Sequence, residues 1–100
     1  MNQIVIVGSI IDMPSIQSNN STNYARILLN VQRAFKNSDG VYESDQIMVT
    51  LWRGITESVL DYCKVGCVLA LRGRIKSIDN VVDGIKTLQY EFIAEHVKLL

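Results

Sequence analysis

The sequence predicts an all-β domain: a closed five-stranded Greek-key barrel with one short helix between the third and fourth strands. Three observations lead there. Five segments rich in Val, Ile and Leu are separated by turn-forming residues, and their side chains follow the two-residue period of a β-strand. A single segment, between the third and fourth of these strands, has helical spacing instead. Two strands carry an internal glycine, Gly8 and Gly73, as strands do where they bend sharply or another backbone comes close.

One hundred residues, 48% apolar and 20% charged, make one domain (1–100) large enough for a core without staples. The single proline argues against long linkers. The formal net charge is zero, so the broad basic signature of many nucleic-acid binders is missing and any such argument must be local. The clustering supplies one. Lys64, Arg72, Arg74 and Lys76 follow one another with no acid between them.

The first strand is expected over Gln3–Ile11. Both of its faces are apolar, Ile4, Ile6 and Ile10 on one and Val5, Val7 and Ile11 on the other. Such a strand lies in a closed barrel or at a subunit interface. The apolar run lacks a positive leader and a cleavage site, so it reads as a strand and not a signal peptide. Asp12-Met13-Pro14 stops it, and residues 15–23 (SIQSNNSTN) form a polar loop. Two N-x-S/T sequons there, at Asn19 and Asn20, signify only a polar loop.

The second strand spans Tyr24–Phe35. Ala25, Ile27, Leu29 and Val31 form its apolar face, and the same parity continues as Arg33 and Phe35. A strand whose inward side turns charged and aromatic has outrun the core and become a projecting hairpin arm. Asn37-Ser38-Asp39-Gly40 is its turn. The third strand returns over Val41–Trp52, with Ile47, Val49 and Leu51 inward and Gln46, Met48, Thr50 and Trp52 outward. Gly54 breaks it. The helix covers Thr56–Cys63, with Val59, Leu60 and Cys63 as its buried stripe, and Val65-Gly66 ends it. The fourth strand is Cys67–Ser77. Asp79–Gly84 is a turn-rich excursion, and the last strand is Ile85–Leu100. This order suits the oligonucleotide/oligosaccharide-binding (OB) barrel, which takes oligonucleotides on the face of strands two and three and on neighbouring loops.

The segment Met48–Lys76 carries the candidate chemistry. Trp52 ends the third strand on the outward parity, beside Gln46 and Thr50 and followed by Arg53. On the fourth strand, Arg72, Arg74 and Lys76 alternate, so they share one side of a sheet. An exposed aromatic beside a basic stripe suits a single nucleic-acid strand: the ring stacks on bases while the cations attract phosphates. The competing reading for the three cations is a solvated strand face. Arg33, Lys36, Arg53 and Lys64 are weaker members of the set, and Arg26 belongs to the outer face as well. Phe35, with Tyr42 across the turn, suits packing on a neighbouring subunit from the hairpin tip, whereas Tyr24 and Tyr90 read as barrel wall. Cys63 and Cys67 have C-x3-C spacing without a second ligand pair, which argues against zinc and for two buried thiols in a reducing cytoplasm. Glu57 and Asp61, at i and i+4, describe a solvated helix face. With no nucleophile motif, phosphate loop or metal cluster, no enzyme activity and no cofactor are expected. No segment reaches membrane-spanning length.

The chain also resembles, over its whole length, the bacterial and phage single-stranded DNA-binding protein family. The resemblance rests on Asn2-x-Ile4-x-Ile6-x-Gly8, Pro14, Ala25-Arg26-Ile27-x-Leu29 with Phe35, Thr50-Leu51-Trp52-Arg53-Gly54-Ile55-Thr56-Glu57, Tyr62-x-Lys64-x-Gly66-Cys67-Val68 and Arg72-Gly73-Arg74-Ile75. It implies sequence-independent binding of single-stranded DNA in replication, recombination or repair, usually as a cytoplasmic homotetramer working with other replication or repair proteins. By position, Phe35 and Trp52 fall on two of the family's stacking aromatics. Gln46 and Asn80 stand where other members have aromatics, which implies fewer stacking platforms. Members commonly continue into a flexible tail with an acidic tip. A chain ending at Leu100 is then either a trimmed core or a tail-less relative, like the primosomal replication protein. The alternative from another class is an OB-fold interaction adaptor with weak DNA binding.

Overall fold

A computed structural model describes residues 1–13, 17–19, 22–52 and 54–100. Pro14, Asn20 and Arg53, singled out above, lie outside the described residues. The elements are β1 (Ile4–Asp12), β2 (Gln17–Asn19), β3 (Thr22–Lys36), β4 (Tyr42–Trp52), α1 (Ile55–Tyr62), β5 (Val68–Val82) and β6 (Ile85–Leu99).

Five strands close a ring. β1 pairs with β3 and β5, β5 with β6, β4 with β3, and the circuit is completed by a parallel pairing of β4 with β6. This is the all-β five-stranded barrel with its helix after the third barrel strand, β4. One expectation changes: part of the polar loop at 15–23 is a short strand, β2, which pairs with the start of β3. Small polar residues show no periodicity, so a pairing made by backbone groups leaves no trace in the side-chain pattern.

Inward parity fills the barrel. Ile6, Ile10, Ile27, Leu29, Val49, Leu51, Leu69, Leu71 and Ala94 form one buried cluster, joined by Val59 of α1 and by Cys63 just past its end. Thr56 is the fully buried polar residue of the helix, and its hydroxyl donates to the carbonyls of Leu51 and Trp52. It thereby ties the first turn of α1 to the end of β4. Leu60 and Cys67 are only half-buried. The strand bends need their glycines. A Cβ on Gly73 would sit 1.8 Å from the carbonyl oxygen of Ile93, and one on Gly8 would sit 2.8 Å from that of Asn30. Gly73 also flanks the register shift between β5 and β6, where the ladder turns the barrel corner.

Two hairpin arms run beyond the barrel. The β3–β4 arm was expected, and Phe35 near its tip is 85% exposed. The second corrects the sequence expectation. Asp79–Val82 is not a loop but the end of β5, paired residue by residue with Ile85–Leu88. Only Asp83-Gly84 turns, both at positive φ (53° and 75°), as a two-residue type I′ hairpin requires.

Candidate nucleic-acid interface

The outward parity of four adjacent strands makes one surface. Tyr24 on β3 lies opposite Trp52 on β4, Arg26 opposite Thr50, and Leu28 opposite Met48. Thr50 adjoins Ile93 on β6, while Ile93 and Glu91 oppose Arg74 and Lys76 on β5. Thr50 was expected to face water. It does leave the barrel core, but between Arg26 and Ile93 it is buried, as is Ile93.

A cleft of about 450 Å³ opens on this surface. One wall is Tyr24, Trp52 and Arg26, and the other is Lys76–Asp79 of β5 with Glu91 of β6. Trp52 is half-buried. Its ring centroid lies 5.0 Å from that of Tyr24, the planes tilted by 42°. The Arg26 guanidinium sits 5.6 Å from the Tyr24 centroid, within cation–π range. Two ring systems with a cation on each wall can stack a base and neutralise the phosphates that flank it.

The predicted site residues divide among three places. Trp52 and Lys76 line the cleft, joined by Tyr24, which reads from sequence as barrel wall, and by Arg26. Phe35, Lys36 and Arg33 lie on the β3–β4 arm, far along the ladder from Trp52. There the Lys36 ammonium stands 5.5 Å from the Tyr42 ring centroid. Arg33 is engaged on its own chain: its guanidinium donates to Asp45 at 2.8 and 3.1 Å and to Glu43 at 2.7 Å. The hydrogen bonds from Arg33 pull the Asp45 carboxyl below the usual aspartate range, and the Asp45 contact raises Arg33 in turn. Arg72 lies apart from the cleft, opposite Val5 on β1 and His96 on β6. Lys64 is exposed in the turn after α1.

The basic stripe is not free of acids once folded. Arg74 Nε lies 4.0 Å from Glu95, and Glu91 stands across the ladder from Lys76. Tyr90, also expected in the wall, is exposed on the β5–β6 arm. Gln46 is exposed on β4 and Asn80 half-buried on β5, both on the outward parity. Burial foremost, with the neighbouring Cys67, pushes the Cys63 thiol up. Among the described residues no three His, Cys, Asp or Glu side chains gather as metal ligands, and no helix is long and apolar enough to cross a membrane.

Comparison with known proteins bears on the fold and the family. Two solved structures share the fold: the small single-stranded DNA-binding protein from Streptomyces coelicolor (TM-score 0.72, 17% identity, 97% of this chain and 92% of that one) and a deletion mutant of the single-stranded DNA binding protein from Thermus aquaticus (TM-score 0.80, 21% identity, 100% and 50%). In sequence, the chain is 31% identical to single-stranded DNA-binding protein B of Bacillus subtilis, over 99% of this chain and 89% of that protein. It is 32% identical to single-stranded DNA-binding protein 1 of Clostridium acetobutylicum, over 100% and 94%. Against the single-stranded DNA-binding protein of Bacillus cereus it is also 32% identical, but spans only 60% of that relative's length. The profile of the single-strand binding protein family matches residues 1–100. The chain therefore belongs to the single-strand binding protein family.

Proposed function

We propose that this chain binds single-stranded DNA without a required sequence, as a non-catalytic coating protein in bacterial or phage DNA replication, recombination or repair. The observation that carries the reading is the cleft in which the Tyr24–Trp52 pair faces Lys76 with Arg26 beside it. Family membership and the names of the relatives support the same ligand. Trp52 and Tyr24 stack one base. Arg26 and Lys76 take the adjoining phosphates, and Arg74, Arg72, Lys36 and Lys64 lie along paths the strand can follow to either side. Phe35 offers a second platform at the tip of the β3–β4 arm.

The assembly we propose is a homo-oligomer, a tetramer in preference to a dimer. β1 pairs with β5 over Ile4–Ser9 but with β3 only over Ser9–Asp12. Its second edge is thus unpaired over residues 4–8 among the described residues, and its outer face shows Val5 (71%) and Val7 (51%) to solvent. An open apolar edge of this kind is a template for pairing with another copy around a two-fold axis.

Titration with oligo-dT, followed by Trp52 fluorescence, tests the proposal. Quenching at low salt is expected, with an affinity that falls with salt by a slope of about −0.7 per neutralised phosphate. Absence of quenching would sink the stacking role, and a salt-independent affinity would remove the phosphate role. A second reading, an adaptor that docks other proteins, draws on the exposed apolar tip of the β5–β6 arm, with Val81, Val82, Ile85 and Leu88. Trp52→Ala and Arg74→Ala, compared for DNA affinity and partner pull-down, separate the two.

A further inference from the structure

We propose that the cleft contains a guanine-preferring subsite in which Glu91 reads the edge of the stacked base. The inference rests on the cleft being a single-strand site and adds to it a base preference. Glu91 is half-buried in the cleft wall. Among the described residues it has no hydrogen-bond or ion-pair partner, although Lys76 stands across the ladder. The other carboxylate of that wall, Asp79, is held by Lys86 at 3.4 Å. Arg26 and Lys76 are therefore set against two acids, and the cleft is not a purely electrostatic trap for a polyanion.

A free carboxylate in such a groove repels phosphate unless it meets a donor. Bases supply donors, and they differ in how well they fit. Guanine presents N1–H and N2–H side by side, two parallel donors for the two carboxylate oxygens, the mirror of an arginine fork. Cytosine and adenine offer an amino group next to an acceptor nitrogen, and thymine an imino N–H between two carbonyls. Each of these sets a lone pair against the second oxygen. The register suits one base between ring and carboxylate. Thr50 adjoins Ile93 in the parallel pairing, Trp52 lies two residues past Thr50, and Glu91 lies two before Ile93. Their backbones are thus about 13 Å apart along the strands, a span shared by two side chains and a base.

The test compares three oligonucleotides of equal length: all dT, dT with every third residue dG, and the same with deoxyinosine, which lacks only the N2 amino group. The wild-type chain is expected to bind the dG strand roughly fivefold more tightly than the inosine strand, the low end for a bidentate base contact. Glu91→Gln, which keeps the shape and breaks the fork, is expected to erase that difference. Equal binding of the dG and inosine strands by wild type overturns the subsite, as does a preference that survives in E91Q. If wild type binds none of the three strands, the single-strand reading itself falls.

Discussion

Replacing Trp52 by alanine removes half of the ring pair in the wall of the cleft. A stacked base is worth roughly 1–3 kcal/mol by alanine substitution. Trp52 is half-buried and one flank is occupied by Tyr24, so it can offer one platform, not two. A loss near the middle of that range, about 2 kcal/mol or some thirtyfold in affinity, is the expectation. Tyr24→Ala should cost less, because it removes the support of the platform more than the platform. With centroids 5.0 Å apart, the two rings act as one unit, and the double variant should fall short of the summed losses by roughly 0.5–1.5 kcal/mol. Fluorescence anisotropy of an end-labelled oligo-dT measures all three variants without relying on the deleted fluorophore. The salt slope should not move, because no cation is lost. Trp52→Phe should recover most of the affinity. A W52A variant that unfolds cooperatively in urea yet binds within twofold of wild type would refute the stacking argument. A slope changed by a full phosphate would show that the deletion had displaced Arg26 or Lys76 instead.

Other consequences can be checked separately. Gly73→Ala must clear a Cβ placed 1.8 Å from a backbone oxygen, so the strands must part at the bulge. A loss of about 3 kcal/mol or more is expected in urea unfolding, against about 1 kcal/mol for Gly84→Ala, whose cost is only the positive φ; equal losses would contradict the close-approach account. Asp45 titrates below the usual aspartate range through Arg33. Its contribution to the β3–β4 arm is thus present above the ordinary carboxylate pKa and lost as pH falls through the depressed value. An NMR titration should find that low midpoint and see it return to the ordinary range in Arg33→Ala, and an ordinary midpoint in wild type would count against the ion-pair network. A Val5→Lys/Val7→Lys variant should shift the molar mass from light scattering towards the monomer, because it charges the open β1 face; an unchanged mass would place self-association elsewhere.

Local chemistry determined a large part of this molecule in advance. Alternation in Ala25-Ile27-Leu29-Val31 and Ile47-Val49-Leu51 picks out the barrel's inner face, because a strand's side-chain period holds wherever the strand goes. The switch from Val31 to Arg33 and Phe35 marks the point where the chain leaves the core, and the arm does begin there. Gly8 and Gly73 mark the close approaches. The Lys76–Glu91 pairing is also local in origin. It follows directly from a two-residue turn at Asp83-Gly84, and reading DNVVDG as one long excursion conceals it, since Val81 and Val82 lend the segment no polar–apolar alternation to separate strand from turn.

Which residues face each other across strands is set by the closed barrel. The turn at 37–40 pairs Lys36 with Tyr42, and an uninterrupted ladder from there would bring Tyr24 opposite position 54. The register shift between Gln32 and Lys36 places two extra residues on β3 and moves Tyr24 opposite Trp52 instead. A bulge is a backbone event that the alternation of side chains does not announce. Only that shift turns a lone tryptophan into a ring pair with Arg26 at its side. The parallel β4–β6 pairing is likewise non-local. It sets Thr50 beside Ile93, so a threonine on the outward parity is buried. Parity along one strand states which side a residue takes, whereas burial and partnership depend on neighbours that the closed barrel brings from far along the chain.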